Sequence, residues 1–446
     1  MSIKKYNVID EPKTRRKRGV CLYKKRLIED LLNEFKKSRF ALLVEGAKGT
    51  GKTTSCKGLT EHHFHLDHPV ELEMVEGSQM KVLFDRKGDV LIDEWQLYPD
   101  VWHAVKRKVD ENSLQGTLFL TGSSPSLQPQ IHSGSGRILR FKMRPLSIQE
   151  REIESPQLFL SEMLNLETEG DFFFQTDITL ENYLDEIYAS GFPGIRDESE
   201  LFRKKSLESY VDNIVHHDLG ENSIVVRKPA AMKAWLRTYS ATIGTTTSAK
   251  TIADAAFNDG EESLAAGTLQ HYREVLKGIG ITEEVPAWLP IGQLFSNLGK
   301  IPKHFLVDPA LSVNLLSVSK KNLMMGRRLP KTIGKLNKTF LGQLFEALVF
   351  QSLAVYCDIN GAALSHLRLR AGEKEIDFII QKEDVLIAVE VKSKAVISDK
   401  DVAVLNWFES KIKDEYDVIK LVINVGQNAY MRKDGVIVCP LALLGC

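Results

Sequence analysis

The segment Phe40-Ala-Leu-Leu-Val-Glu-Gly-Ala-Lys-Gly-Thr-Gly-Lys-Thr53 joins a short apolar run to a glycine-rich turn. Its last eight residues fit the pattern G-x-x-x-x-G-K-[S/T] at every fixed position, and the apolar run predicts a strand directly before them. Glycines here let successive backbone N–H groups turn inward around a phosphate, and the positive end of the following helix strengthens the attraction. The segment therefore predicts a nucleotide-binding loop between a strand and a helix.

The loop and the residue after it form the predicted ATP-binding set. These residues are Gly46, Ala47, Lys48, Gly49, Thr50, Gly51, Lys52, Thr53 and Thr54. Lys52 is expected to reach the β- and γ-phosphates of ATP, and the Thr53 hydroxyl to bind Mg²⁺. The alternative is a glycine turn with a structural role only, but the strand and helix flanks favour nucleotide binding.

A second apolar run, Asp89-Val-Leu-Ile-Asp-Glu94, ends in two carboxylates. A strand of this kind beside a phosphate-binding loop places Asp93 near the metal, and Glu94 is then positioned to act as general base on the attacking water. The alternative is a strand end whose acids are solvated. Thr121 or Ser123, after the next strand, is a candidate for holding that water.

Arg137, in the pair Gly136-Arg137, is the candidate arginine finger. A planar guanidinium aimed at the transferring phosphoryl group would stabilise the charge that spreads over it. Such a residue acts either within its own chain or across the interface of a homo-oligomer, and the sequence does not distinguish the two. A surface salt bridge is the alternative.

The apolar runs indicate the α/β fold class. Helix-length segments separate four of them, as is typical of a parallel sheet: Phe40–Glu45, Val90–Asp93, Leu118–Thr121 and Ile138–Phe141. A one-sided helix is expected at about residues 23–38. Farther along, helices at Lys250–Phe257 and Leu264–Leu276, followed by a strand-like return at Ile281–Trp288, predict a winged helix-turn-helix.

These patterns divide the chain into five predicted segments. They are a basic N-terminal tail (1–20), a P-loop ATPase domain (21–150), a helical lid or linker without strands (151–240), a winged-helix-like domain (241–330) and a separate C-terminal α/β domain (331–446).

The C-terminal domain carries a second group of charged residues. Its segments 375–380 and 385–392 predict a β-hairpin of two apolar strands. Glu390 and Lys392 share one face of their strand, Asp377 starts the neighbouring strand, and Glu346 lies among apolar residues of a helix, where a carboxylate needs a partner. Asp377, Glu390 and Glu346 are therefore candidate Mg²⁺ ligands, with Lys392 as a catalytic partner.

This D-x(12)-E-x-K arrangement resembles the core of the PD-(D/E)XK nucleases. In that core the acids bind the metal and the lysine assists attack on a phosphodiester, so the resemblance implies a restriction-endonuclease-like α/β domain with DNA as its partner. The alternative is a surface hairpin with an ordinary cross-strand ion pair.

Composition describes a soluble multidomain chain of 446 residues, in which 59 basic residues balance 59 acidic ones. Residues 1–40 hold 13 Lys/Arg against 5 Asp/Glu, so this end is either a nucleic-acid contact or a solvated tail. We expect a cytoplasmic protein without a membrane partner, because no run approaches the ~18 apolar residues of a membrane span. Five scattered cysteines argue against a disulfide framework or a zinc ribbon.

Two weaker signals stay open. Four histidines lie between His62 and His68, but no Cys or spaced Glu completes a metal site, so an edge strand is favoured. The second helix of the predicted winged helix carries acidic as well as basic residues, so it is either a DNA-reading helix or a docking module.

Residues 20–440 together resemble a widespread bacterial and archaeal family of AAA-type ATPases joined to a C-terminal domain of unknown function. The segments that carry the resemblance are Gly46–Thr53, Leu91–Glu94, Phe119–Ser123, Gly136-Arg137, Arg144–Ser147 with Glu150, Gly191–Gly194, Thr268–Tyr272, Phe305–Leu311, Glu375–Asp377 and Glu390–Lys392. The resemblance implies the additional-strand order of ATPase sheets, a winged helix and a nuclease-like tail. One departure is His216-His217-Asp218, where relatives tend to carry an Arg-Asp pair.

The functional hypothesis is an ATPase that couples ATP·Mg²⁺ hydrolysis to a nuclease-like domain acting on or binding DNA. Two alternatives remain. In the first, the tail is catalytically idle and serves as a binding module of an ATP-driven switch. In the second, the protein is an assembly or signalling ATPase without a nucleic-acid partner.

Overall fold

The computed structural model describes residues 23–38, 40–122, 136–168, 170–218, 228–257, 265–290, 298–326, 339–369, 372 and 374–446. Predictions for the basic tail (1–20), for Ser123 and for the turn at residues 258–260 lie outside the described residues, as do the side chains of His217 and Asp218.

A five-stranded parallel sheet forms the first part of the chain. Its elements are α1 (Leu27–Phe35), β1 (Ala41–Glu45), α2 (Lys52–Leu59), β2 (His62–His65), α3 (Pro69–Gly77), α4 (Lys81–Phe84), β3 (Val90–Asp93), α5 (Asp100–Asp110), β4 (Leu118–Gly122) and β5 (Ile138–Lys142). The strand order is β2-β3-β4-β1-β5. The predicted parallel α/β sheet is therefore confirmed, and β4 lies between β1 and β3.

The sheet forms because its strands are apolar enough to be covered on both faces. Every residue of β3 is buried, as are the first four residues of β1. On one face α5 contributes Trp102, whose ring stacks on Trp95 at 4.8 Å between centroids. Since parallel strands all end at one edge, the residues that follow β1, β3 and β4 meet there.

The middle of the chain is mostly helical. Its elements are β6 (Leu158–Phe159), α6 (Leu160–Leu164), β7 (Phe173–Gln175), α7 (Leu180–Ala189), α8 (Pro193–Arg196), α9 (Glu200–Asn213), a π-helical segment (Ile214–Asp218), α10 (Pro229–Ala241), α11 (Ala249–Ala256), α12 (Ala266–Gly278), β8 (Thr282–Val285), β9 (Lys303–Leu306), α13 (Pro309–Leu316) and α14 (Lys320–Met324). Strands β8 and β9 form an antiparallel ribbon. The helices and the strand-like return expected after residue 245 are present, while the winged-helix assignment stays a prediction.

The expectation that residues 151–240 contain no strand is wrong in two places. Strand β7 pairs with β14 (Asn428–Met431), and β6 pairs with β16 (Leu444–Gly445). Both strands are very short, so their local sequence carries little periodic signal, and their partners lie more than 200 residues away. The C-terminal part of the chain thus completes the middle part.

The C-terminal part is an α/β unit built on a mixed sheet. Its elements are α15 (Phe340–Asn360), β10 (Ala363–Arg368), β11 (Glu375–Lys382), β12 (Val385–Lys392), α16 (Asp399–Ile412), β13 (Asp417–Asn424), β14, β15 (Val436–Pro440) and β16. The strand order is β10-β11-β12-β13-β15-β14-β7. The β11–β12 pairing is antiparallel, which confirms the predicted hairpin.

Helix α15 is the central helix of this unit. By length and composition it could cross a membrane, but 89% of its apolar window is buried inside the protein, as in a core helix. One hydrophobic cluster includes Leu344 on this helix, Ala47 in the glycine-rich loop and Phe192 in the middle part. The three parts therefore share a core. The described cysteines, Cys56, Cys357, Cys439 and Cys446, are free thiols.

Candidate functional site

The glycine-rich loop has a backbone that only glycine tolerates at two points. A Cβ on Gly46 would lie 2.1 Å from the carbonyl oxygen of Met143, so no side chain fits there. Gly51 has φ +99°, in the left-handed region, and is the residue from which α2 begins. The loop therefore passes from a buried strand to a helix N-terminus through a turn that the glycines make accessible.

Lys52 points back into this loop. Its Nζ donates to the carbonyl oxygens of Gly46 at 2.9 Å and Ala47 at 3.0 Å. Burial lowers the pKa of Lys52 to about 8, although nearby Glu94 and Asp93 oppose the shift. The ammonium is thus held inside the loop in a setting that a bound anion would stabilise.

Asp93 is the centre of a small polar network at the end of β3. Its Oδ1 accepts hydrogen bonds from the Thr53 hydroxyl at 3.0 Å and the Thr121 hydroxyl at 2.5 Å. The His65 Nδ1 lies 3.1 Å from its other oxygen. Strands β2 and β4 flank β3 and align His65 and Thr121 with Asp93. The predicted metal residues Thr53 and Asp93 therefore lie side by side.

Glu94 follows directly and has an unusual backbone. Its φ of +52° is rare for a residue with a side chain, and such conformations concentrate at functional sites. Burial raises the pKa of its carboxyl group, with Gln96 donating a hydrogen bond to the carboxylate in opposition to that shift. A carboxylate with a raised pKa is better suited to accept a proton near neutral pH.

Lys52, Thr53 and Glu94 line a cavity of about 560 Å³, a size typical of small-molecule sites. The loop side is formed by Lys48, Gly49, Gly51, Lys52, Thr53 and Thr54, and Glu94 also lines it. The opposite side comes from Pro193, Gly194, Arg196 and Asp197 on α8 and just after it, with Tyr23, Lys24 and Arg26 from the start of the described chain. Three residues of the predicted set, Gly46, Ala47 and Thr50, do not line the cavity. Thr50 is buried, and its hydroxyl stabilises the loop by donating to the Ala47 carbonyl at 3.0 Å.

The sequence did not identify Arg26, a buried residue that lines the cavity and binds the backbone of the loop. Its Nη1 donates to the Thr50 carbonyl at 2.6 Å, and its Nε forms a buried salt bridge with Glu150 at 3.0 Å. The one feature of the sequence that could have pointed to Arg26 is its partner Glu150, which belongs to a segment that carries the family resemblance. Its partner lies 124 residues away.

A second contact on the loop comes from α9. The Tyr210 hydroxyl donates to the Lys48 carbonyl at 3.0 Å, and its ring packs against Phe192 at 5.0 Å between centroids. Phe192 in turn lies 3.7 Å from the Cβ position of Gly49. The segment Gly191–Gly194, one of those that carry the family resemblance, therefore lies over the loop.

Arg137 lies at the amino-terminal end of the strands, opposite the end where the glycine-rich loop lies. It precedes β5, which runs parallel to β1, so five strand residues, or ~16 Å, separate it from the loop edge. Its Nε contacts both carboxylate oxygens of Asp110, at 2.8 and 2.9 Å. The structure does not bring Arg137 to the cavity of its own chain, and a role across an interface between copies stays a prediction.

The C-terminal candidates lie close together but around a cation that the sequence did not suggest. The Nζ of Lys303, on β9, lies 2.9 Å from a Glu346 carboxylate oxygen and 3.0 Å from oxygens of both Glu375 and Asp377. Lys303 has no exposed surface. The sequence around residue 303 does not predict these contacts, because the three carboxylates belong to another part of the chain.

The remaining two candidates form their own pair beside this cluster. Lys392 donates to the Glu390 carboxylate, and the Val391 amide donates to the second oxygen of Asp377 at 2.9 Å. Asp377 and Glu390 therefore lie on neighbouring strands, as expected. Within the described residues, however, no group of three or more His, Cys, Asp or Glu side chains is arranged to hold a metal ion.

The histidine-rich stretch forms β2, which is the edge strand of the first sheet. His62 and His63 each contact a backbone carbonyl through Nε2, at 3.0 and 3.1 Å. The edge-strand prediction is confirmed. His65 alone among the stretch's strand residues faces Asp93.

Three family models match separate parts of the chain. Residues 38–152 match the AAA domain, residues 180–322 match a domain of unknown function (DUF8612), and residues 341–444 match a domain of unknown function (DUF4143). No curated protein matches the chain.

Solved structures show distant similarity. The Walker-type ATPase of Pyrococcus abyssi matches with 13% identity and a TM-score of 0.38, over 66% of this chain and 96% of its own. The Aeropyrum pernix ORC1 protein, solved in complex with DNA, has 14% identity and a TM-score of 0.25, over 67% and 94%. The ORC2 protein of the same organism, in ADPNP-ADP complexes, has 14% identity and a TM-score of 0.28, over 59% and 88%.

The family match and the strand-loop-helix geometry agree over the same residues. Neither a winged helix nor a nuclease fold is identified by these comparisons. Residues 38–152 of this chain match the AAA domain and contain the phosphate-loop motif between a strand and a helix of a parallel sheet.

Proposed function

We propose that this protein binds ATP with Mg²⁺ in the cavity at Gly46–Thr54, hydrolyses it, and uses the nucleotide state to switch the contact between the P-loop domain and the rest of the chain. The observation that carries the proposal is that Lys52, Thr53 and Glu94 line one cavity whose far side belongs to α8, with Asp93 bonded to the Thr53 hydroxyl beside it. A phosphate chain placed there would touch both sides.

The residues divide the work. The loop amides and the Lys52 ammonium would hold the phosphates, exchanging the carbonyl contacts of Lys52 for stronger charge-assisted bonds. Glu94 would take the proton from the attacking water, with Gln96 orienting its carboxylate. Thr121, already bonded to Asp93, is a candidate for positioning that water.

Mg²⁺ fits the donors present. Thr53 and Asp93 offer a hydroxyl and a carboxylate oxygen within 3.0 Å of each other, which is the hard-oxygen set that Mg²⁺ prefers. When bound, Mg²⁺ would neutralise charge on the phosphates. These two residues would hold it.

Contacts of the P-loop domain suggest how a change in nucleotide state would move the middle and C-terminal parts of the chain. Tyr210 and Phe192 lie on the loop, so a nucleotide that moves the loop also moves α8 and α9. At the end of β5, Arg144 binds Glu283 on β8 at 3.0 Å and also Asp358 on α15. Burial alone would raise the pKa of Glu283, but Arg144 and Lys142 lower it to about 2, so this interdomain pair stays charged.

DNA cleavage by the C-terminal domain is the second candidate function. It is favoured by the proximity of Asp377, Glu390 and Lys392 on neighbouring strands. The Lys303 ammonium among the carboxylates instead favours the alternative of a catalytically idle binding module. Incubation of the protein with plasmid and single-stranded DNA in Mn²⁺ separates the two. Cutting that Lys392→Ala abolishes supports the nuclease, and retarded but intact DNA supports the module.

ATP hydrolysis by the purified full chain tests the main proposal. Lys52→Ala should weaken ATP binding by about 10- to 100-fold, because it removes a charged hydrogen-bond donor to the phosphates. Lys57→Ala is the matched control, since Lys57 is exposed on the same helix and does not line the cavity. Unchanged ATP binding in the folded Lys52→Ala protein would contradict the proposal.

A further inference from the structure

The carboxylates expected to bind Mg²⁺ in the C-terminal domain already surround a cation from another part of the chain. Lys303 is the first residue of β9, in the two-stranded ribbon that precedes α13. Glu346 comes from α15, and Glu375 and Asp377 come from β11. The Lys303 side chain, from the middle part of the chain, therefore occupies the space between carboxylates of the C-terminal part.

The distances are those of an ammonium group. Its three N–H donors face three carboxylate groups at 2.9, 3.0 and 3.0 Å, and the Asp377 carbonyl lies at 3.4 Å. Mg²⁺ instead requires about six oxygens at ~2.1 Å. Because both cations need the same oxygens, the ammonium and a metal ion exclude each other.

The burial of the Glu346 and Asp377 carboxylates explains why a cation lies beside them. The side chains of Glu346 and Asp377 are 2% and 3% exposed, and the side chain of Lys303 is fully buried. Buried carboxylates without a counter-charge are strongly unfavourable. Lys392 pairs with Glu390 on the neighbouring strand. Lys303 forms buried ion pairs with both Glu346 and Asp377.

We propose that Lys303 is an intramolecular cation occupying a latent divalent-metal site formed by Glu346, Glu375 and Asp377. In the wild-type chain the cluster folds without metal. Removal of the ammonium leaves a pocket lined by carboxylate oxygens, which a divalent cation such as Mn²⁺ fills. This inference is independent of ATP binding, since no residue of the P-loop cavity takes part.

Mn²⁺ titration of the full chain without nucleotide, followed by the electron paramagnetic resonance signal of free Mn²⁺, tests the proposal. Lys303→Met should bind one Mn²⁺ per chain with an affinity at least about tenfold above that of wild type. Adding Asp377→Asn to Lys303→Met should abolish the gain. The matched control is Lys320→Met, because Lys320 also binds two carboxylates, Glu181 and Asp185, but these are exposed.

A second variant covers the case in which Lys303→Met does not fold. Lys303→Met with Glu375→Gln removes one surplus negative charge and keeps the two most buried acids; circular dichroism and thermal unfolding with and without Mn²⁺ report its fold. Stabilisation by Mn²⁺ in either variant supports the proposal.

Three outcomes would overturn it. One is a folded Lys303 variant that binds Mn²⁺ no better than wild type. Another is a wild-type chain that binds one Mn²⁺ and loses it on Asp377→Asn. The third is failure of both variants to fold even with millimolar Mn²⁺, because a metal then cannot replace the ammonium.

Discussion

Two buried lysines near carboxylates, Lys52 and Lys303, have opposite environments. The Lys52 ammonium is bonded to two backbone carbonyls beside an open cavity, with Asp93 and Glu94 near but not bonded to it in the contacts described. The Lys303 ammonium lies within 3.0 Å of three carboxylates and has no exposed surface. Lys52 is therefore placed to bind an added anion, whereas Lys303 is already paired with three carboxylates of the chain.

The comparison shows that residue types alone do not define a site. Both places combine acids with a lysine, and both were predicted to bind Mg²⁺. What separates them is whether carboxylates contact the lysine ammonium directly. Three do so at Lys303, whereas Lys52 contacts two carbonyl oxygens beside a cavity in which we propose that ATP binds.

The largest expected effect is on hydrolysis. Glu94→Gln should lower the rate of ATP hydrolysis by about 10²- to 10⁴-fold while leaving ATP binding within a few-fold of wild type, because the amide cannot accept the proton of water. Steady-state phosphate release and equilibrium ATP binding measure the two quantities. Glu73→Gln, at an exposed position of α3, is the control. Equal turnover in Glu94→Gln and wild type would remove Glu94 from the chemistry.

The next effect concerns stability and compares the two lysines directly. Lys303→Met should lower the free energy of unfolding by about 3–5 kcal/mol at neutral pH without metal, because it removes the buried ammonium from its ion pairs with Glu346 and Asp377. Lys52→Met should leave that free energy unchanged or raise it, since burial already disfavours its charge. Urea unfolding of the three proteins measures both. Similar losses in the two variants would break the comparison.

The smallest effect is a pH dependence of ATP binding. The pKa of Lys52, lowered by burial to about 8, means that the lysine loses its proton above pH 8 when no nucleotide is bound. A phosphate favours the charged form, so the affinity for ATP should fall by up to about tenfold per pH unit above pH 8.

Affinities measured at pH 7, 8 and 9 provide this test. Lys52→Arg serves as the comparison, because a guanidinium does not titrate in this range. An affinity that stays constant to pH 9 in the wild type would mean that Lys52 remains charged without nucleotide.

Local sequence was sufficient where the signal is local. The loop, the strand before it, β3 with its two acids and the β11–β12 hairpin each depend on residues adjacent in the chain, and each was predicted within a few residues. Their chemistry needs fixed spacing, and fixed spacing is visible in sequence.

Long-range partners were not predictable in this way. Arg26 meets Glu150 across 124 residues, and Lys303 meets Asp377 across 74. Strand β7 lies in a region predicted to be a helical lid or linker without strands, and it forms by pairing with β14. In each case the contact is stabilised by a partner that is distant in sequence, so the local sequence pattern does not predict it.

Calorimetric titration of ATP and Mg²⁺ into the full chain at pH 7 tests the central claim most directly. The arrangement of Lys52, Thr53 and Asp93 predicts one site per chain, with binding weakened in Lys52→Ala and retained in Lys57→Ala. Absence of heat with purine triphosphates at every Mg²⁺ concentration, or equal binding in both variants, would contradict it.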